Sequence, residues 1–224
     1  MVTTRREVLP RPRERIQPKA TVSAVRRLLA DEYRCEWAAW FMWRYDVPDE
    51  EDTPELLVWK ERHEALVSER IADLTEQPFE VTTEWDNRLQ AIGSLTGTMF
   101  KGRPDIAVSE PEVLTYEDCK TGSPCRADEV QVLLYTQLAR LNGERRRIAG
   151  VIVYPERVQR VDMRQRIPIR DRFVELIGRF AAGTARLAPD YSECRYCKVR
   201  AYCPDRVSQE PDRTEWEPLF DERR

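Results

Sequence analysis

"GRPDIAVSEPEVLTYEDCKTG", residues 102 to 122, is the stretch on which the fold turns. Its period is two, and "PDIAV" and "EVLTYEDCK" read as two strands separated by a turn. Along a strand, side chains i and i+2 share a face, so Asp118 and Lys120 project together while Cys119 points away. If the first strand pairs with the second, Asp105 meets Asp118 at one spot. Two carboxylates beside an ammonium can share a hard divalent ion, Mg²⁺ or Mn²⁺, and orient a water. That is the equipment of phosphodiester hydrolysis, in which Lys120 offsets the growing negative charge. A lone D-x-K triplet also occurs by chance on exposed strands, so the flanking sequence decides.

Upstream, "FEVTTEW" (79 to 85) alternates as a further strand, and Gly97 and Gly102 mark turns. Before it the spacing is helical. Ser23 can cap a helix carrying Val25, Leu28 and Leu29, and an aromatic segment holds Trp37, Trp40, Phe41 and Trp43. A long helix is expected over 55–74, with Leu56, Trp59, His63, Leu66, Val67 and Leu74 near one face. Downstream come a helix from about Ala127, a buried strand over 148–154 with "VQRVDMRQR" pairing beside it, and a helix over 171–187. Helices, three strands, helix, strands, helix is the order of an α/β or α+β fold, a sheet with helices against its faces.

The chain has 224 residues, 41% hydrophobic and 34% charged, enough for one large domain with a real core. No apolar run approaches the roughly 18 residues of a spanning helix, and the N-terminus lacks the apolar core of a signal peptide. A cytoplasmic location is expected. The net charge of −3 gives no global field to attract nucleic acid, yet basic residues cluster in the first 20 positions and again over 140–172. Arg145, Arg146 and Arg147 are either a solvated face or a phosphate-contacting patch. Residues 1–20 read as a disordered basic arm, 21–205 as the domain and 206–224 as a tail.

"GRPDI", "DCKTG" and, after it, "QVLLY" together resemble the PD-(D/E)XK nuclease superfamily, and in particular its RecB-like exonucleases. The resemblance implies a mixed central sheet flanked by helices. It also implies a Mg²⁺- or Mn²⁺-dependent exonuclease, expected to act on single-stranded DNA in repair, recombination, phage DNA processing or CRISPR adaptation. Asp105, Asp118 and the main-chain carbonyl of Cys119 would be metal ligands, Lys120 would serve the water, and Gln131 and Tyr135 would support the lysine or the strand. Gln131 and Tyr135 stand at i and i+4, on one helix face; without the resemblance they read as a capping glutamine and a core tyrosine. His63, the only histidine, reads by itself as a core residue, whereas the family's histidine before the sheet would make it a metal ligand favouring Mn²⁺. Glu84 is a weaker candidate for the same site. The alternative is a catalytically silent DNA-binding subunit of a larger complex, and a homo-oligomer or a DNA-processing protein partner fits either reading.

"YSECRYCKVRAYCP" (191 to 204) holds Cys194, Cys197 and Cys203 in C-x2-C-x5-C spacing, one thiolate short of a usual zinc or iron–sulfur site. In a reducing compartment cysteines hold metal more readily than they form disulfides. Some RecB-like nucleases carry one cysteine before the nuclease core and three after it, holding a [4Fe–4S] cluster. The resemblance thus implies Cys35 as the fourth ligand, with zinc as the alternative. Cys119 and Cys125 read as buried thiols.

Overall fold

Two of the helices that frame the site begin where a threonine side chain can receive a free N–H group. In the computed structural model, which describes residues 12–48, 53–76 and 78–207, α1 (Val22–Leu29) is capped by Thr21, which accepts from Ala24 N at 3.3 Å. Ser23, expected as the cap, lies inside the helix. The aromatic segment is α2 (Trp37–Arg44). The long helix α3 (Pro54–Thr75) starts at Thr53, which accepts from Leu56 N, and Pro54 presets its first turn. The next helix, α4 (Arg126–Leu141), follows Cys125, whose N–H returns to Asp128 Oδ2 at 3.3 Å. The helix expected at 171–187 is displaced: α5 (Arg166–Ala181) tolerates Pro168 in its first turn and stops before Gly183, whose φ of 70° suits glycine alone. A single turn, α6 (Tyr191–Cys194), follows.

The strands are β1 (Arg13–Glu14), β2 (Lys19–Thr21), β3 (Tyr45–Asp46), β4 (Glu80–Thr83), β5 (Leu89–Ile92), β6 (Met99–Gly102), β7 (Ile106–Ser109), β8 (Val113–Cys119), β9 (Arg147–Tyr154) and β10 (Arg157–Arg160). The central sheet has the order β10-β9-β8-β7-β4, with β8 and β9 parallel and the other pairs antiparallel. A second sheet, β2-β6-β5, and a short β1-β3 ribbon complete it. Five strands, not three, therefore separate α3 from α4. Of the arm expected at 1–20, residues 1–11 lie outside the described residues. The part that is described is folded: β1 pairs with β3 and β2 runs parallel to β6. The tail from 208 onward also lies outside the described residues.

The expected mixed sheet flanked by helices is what the chain forms. On one face, Leu66 of α3 meets Ile106, Val108, Cys119, Val151 and Val153. On the other, α4 packs between the sheet and α1 and α5 in the larger core. Gly150 lets α4 approach β9, since a side chain there would strike Val132 at 2.5 Å. The N-terminal half of α3 departs from expectation: Leu56, Leu57, Val58 and Trp59 are exposed. Among the described residues no helix is long and apolar enough to cross a membrane.

Candidate active site and cysteine pocket

Antiparallel pairing of β7 with β8 sets Ile106 opposite Glu117, so the preceding residue, Asp105, arrives beside the end of β8. Asp105 Oδ2 accepts the buried Cys119 N–H at 2.7 Å, which ties the two strand ends together. The alternation expected for β8 holds. Cys119 enters the apolar face under α3, where burial pushes its thiol far up and leaves it unreactive. Asp118, 1% exposed, faces α4.

Lys120 Nζ stands 2.5 Å from Asp118 Oδ2 and donates to Gln131 Oε1 at 3.1 Å. Gln131 Nε2 donates to Asp118 Oδ1 at 2.9 Å and to the Tyr135 hydroxyl at 2.7 Å. The i, i+4 spacing on α4 therefore brings both side chains to the carboxylate. Gly102, expected in a turn, instead ends β6 and makes room for Tyr135, whose ring lies 2.8 Å from where a Cβ would stand.

His63 reaches the same place from α3, with Nε2 3.2 Å from Asp105 Oδ2. That hydrogen bond raises its pKa, partly opposed by burial and assisted by the charges of Asp105 and Asp118. Asp118 is pushed up to about 6, chiefly by desolvation, with Lys120 pulling it down and Asp105 pushing it up. Glu84 does not join this group; it pairs with Arg103.

The donors fit a hard divalent ion in kind: two carboxylates, one imidazole and the main-chain carbonyl of Cys119. Asp118 Oδ2 is buried and is answered by the Lys120 ammonium, 2.5 Å away. Among the described residues, no three His, Cys, Asp or Glu side chains are set so as to hold a metal ion. Their charges are instead satisfied within the protein, Asp105 by His63 and Asp118 by Lys120.

Two carriers of this site went unread in the sequence. Arg70, two helical turns beyond His63 on the same face of α3, binds buried Glu117 of β8. Asn87 bonds to Thr82 and to the Pro104 carbonyl, the residue before Asp105. The i, i+7 spacing could have found Arg70; nothing local announces Asn87.

Arg145 to Arg147 are not part of the group. Arg147 pairs with Val113 at the start of β8, whereas Asp118 pairs with Ile152 near its end, a separation of roughly 17 Å along the strand. Arg146 is engaged by Glu144, Ser109 and the Glu110 carbonyl.

Cys35, Cys194, Cys197 and Cys203 line one cavity of about 340 Å³, together with Tyr33, Trp37 and Tyr196. Burial raises the Cys197 and Cys203 thiols, and their cysteine neighbours raise them further. Glu193 accepts Arg34 N at 2.9 Å and Cys35 N at 3.1 Å, bringing the early cysteine to the late ones. Thiolates are in kind the donors a soft metal or cluster takes, but among the described residues no three of these cysteines are set so as to hold one. Cys125 is half-buried at the start of α4, not fully buried as expected.

A sequence profile of the PD-(D/E)XK nuclease superfamily matches residues 7–204. The crystal structure of SSO0001 is similar at 17% identity and a TM-score of 0.48, covering 87% of this chain and 89% of that one. The crystal structure of an alkaline exonuclease, LHK-Exo, from Laribacter hongkongensis is similar at 14% identity and a TM-score of 0.44, covering 74% and 89%. No curated protein sequence matches.

Proposed function

Since this chain belongs to the PD-(D/E)XK nuclease superfamily, we propose that it is a metal-dependent deoxyribonuclease of the RecB-like iron–sulfur kind, an exonuclease on single-stranded DNA. The observation that carries this reading is the convergence of Asp105, Asp118 and Lys120, with Asp118 buried and paired with the lysine ammonium.

Asp105, Asp118, His63 and the Cys119 carbonyl would hold Mg²⁺ or Mn²⁺, which supplies Lewis-acid charge to a phosphoryl oxygen. Lys120, steadied by Asp118 and Gln131, orients the attacking water and balances negative charge at phosphorus. The water oxygen bonds to phosphorus and releases a proton to solvent, the bond to the leaving sugar oxygen breaks, and that oxygen takes a proton from solvent. Gln131 and Tyr135 keep the lysine and carboxylate in register. Cys35, Cys194, Cys197 and Cys203 would hold a [4Fe–4S] cluster between the two ends of the domain.

The test is degradation of end-labelled single- and double-stranded DNA with Mg²⁺, Mn²⁺ or chelator. Asp105→Ala and Lys120→Ala should each lose about 10²-fold or more; activity surviving both rejects the site. Anaerobically purified protein should be brown and contain iron, and a colourless protein with one zinc rejects the cluster.

A further inference from the structure

We propose that Trp85, set between Arg88 and Arg103 beside Asp105, is a stacking platform for an unpaired nucleobase of the substrate strand. The proposal rests on the nuclease reading above and assigns a strand-gripping surface next to the strand ends that carry Asp105.

The loop 84–88 is placed by two registers at once. Thr83 pairs with Ile106 and Leu89 pairs with Gly102, so the loop between them spans residues 103–105. Asn87, buried, fastens it: Thr82 Oγ1 donates to Asn87 Oδ1 at 2.7 Å, and Asn87 Nδ2 donates to the carbonyls of Thr82 at 3.1 Å and Pro104 at 3.4 Å. On this fixed loop the Trp85 indole is 68% exposed. The Arg88 and Arg103 guanidinium carbons lie 5.4 and 5.2 Å from its ring centroid.

A side chain this exposed adds little to the core, and the Arg88 guanidinium can meet a phosphate while the ring meets a base; Arg103 is held by Glu84. A second indole stacks on the histidine that bonds Asp105. Trp59, 49% exposed, lies over the His63 ring with centroids 5.3 Å apart and planes inclined by 23°. A base offers its π-face to these rings only outside a duplex, so the ligand class is a single-stranded polynucleotide.

The experiment titrates full-length protein, in chelator so that nothing is cut, with labelled oligo(dT) and with a blunt duplex of the same length. Oligo(dT) should quench tryptophan fluorescence. Trp85→Ala should weaken oligo(dT) about tenfold or more with duplex affinity unchanged, Trp85→Phe should keep most of the affinity, and Arg88→Ala should weaken it and make its salt dependence shallower. Unchanged oligo(dT) affinity in a folded Trp85→Ala, or an equal loss for duplex, overturns the platform while wild-type cleavage leaves the nuclease reading standing. A wild type that neither binds nor cuts any polynucleotide with Mg²⁺ or Mn²⁺ overturns both.

Discussion

Arg70 grips Glu117 through two charge-assisted hydrogen bonds, 2.6 Å from Nε to Oε2 and 2.8 Å from Nη2 to Oε1. Glu117 is 2% exposed and shares its sheet face with Cys119. The pair fixes α3 against β8, and with it the position of His63 relative to Asp105. Arg70→Ala strands a buried carboxylate and should cost about 3–5 kcal/mol. The double change Arg70→Met, Glu117→Leu should recover most of that in urea unfolding. Activity should not recover with it, because the apolar pair no longer dictates where His63 stands.

Gln131 touches Asp118, Lys120 and Tyr135 at once. Gln131→Ala should lower kcat by about 10²-fold with KM little changed, since its work is positioning the groups that meet developing charge. Gln131→Glu should do no better despite its matching shape, because it removes the donor to Asp118 and adds a like charge. Tyr135→Phe removes only the acceptor of one Gln131 hydrogen and should stay within about tenfold of wild type. Steady-state kinetics on a labelled strand separates the three.

That Asp118 and Lys120 share a face, and Gln131 and Tyr135 another, was legible because strand alternation and the i, i+4 rule are local; that the four meet one another came only with the family resemblance. Helix α3 was legible in extent but not in burial: periodicity places Leu56 and Trp59 on a face without saying whether the sheet reaches that far. β2 was hidden because its partner, β6, lies some 80 residues away in sequence. The role of Gly102 depends on the Tyr135 ring from a distant helix. Where Arg145 to Arg147 stand relative to the carboxylates was not legible, because a run of charge carries no information about which end of a parallel strand pair it occupies.

Arg146 is scaffold by its contacts, and pH reports on it. Its hydrogen bond holds Glu144 well below its ordinary value of 4.5, at about 2, and Glu144 in turn raises Arg146. A depressed carboxylate gives stability that is whole above about pH 4.5 and is lost as pH falls toward 2. The thermal midpoint of Glu144→Gln should therefore lie below that of wild type by a constant margin above pH 5, and the margin should close between pH 4.5 and 2. Arg146→Ala should lower the midpoint while leaving oligonucleotide affinity in place.

The segment around Cys35 is bolted to the C-terminal third without using a thiol. Glu193 holds the amides of Arg34 and Cys35. Buried Glu36 accepts Arg179 Nη2 at 2.6 Å, Arg179 Nε at 3.2 Å and Arg186 N at 3.0 Å, while its own N–H donates to the Arg186 carbonyl at 2.8 Å. A metal group at the four cysteines would therefore be added to ends already joined. Cys35→Ser should lose bound metal and visible absorbance yet keep one cooperative unfolding transition. Glu36→Ala, with all four thiols intact, should lose about 2–3 kcal/mol, because it leaves the Arg179 guanidinium and the Arg186 amide without their acceptor. Denaturant unfolding beside metal analysis checks both, and collapse of Cys35→Ser with a stable Glu36→Ala would reverse the assignment, making the cysteine-bound group the tie and the carboxylates its accessories.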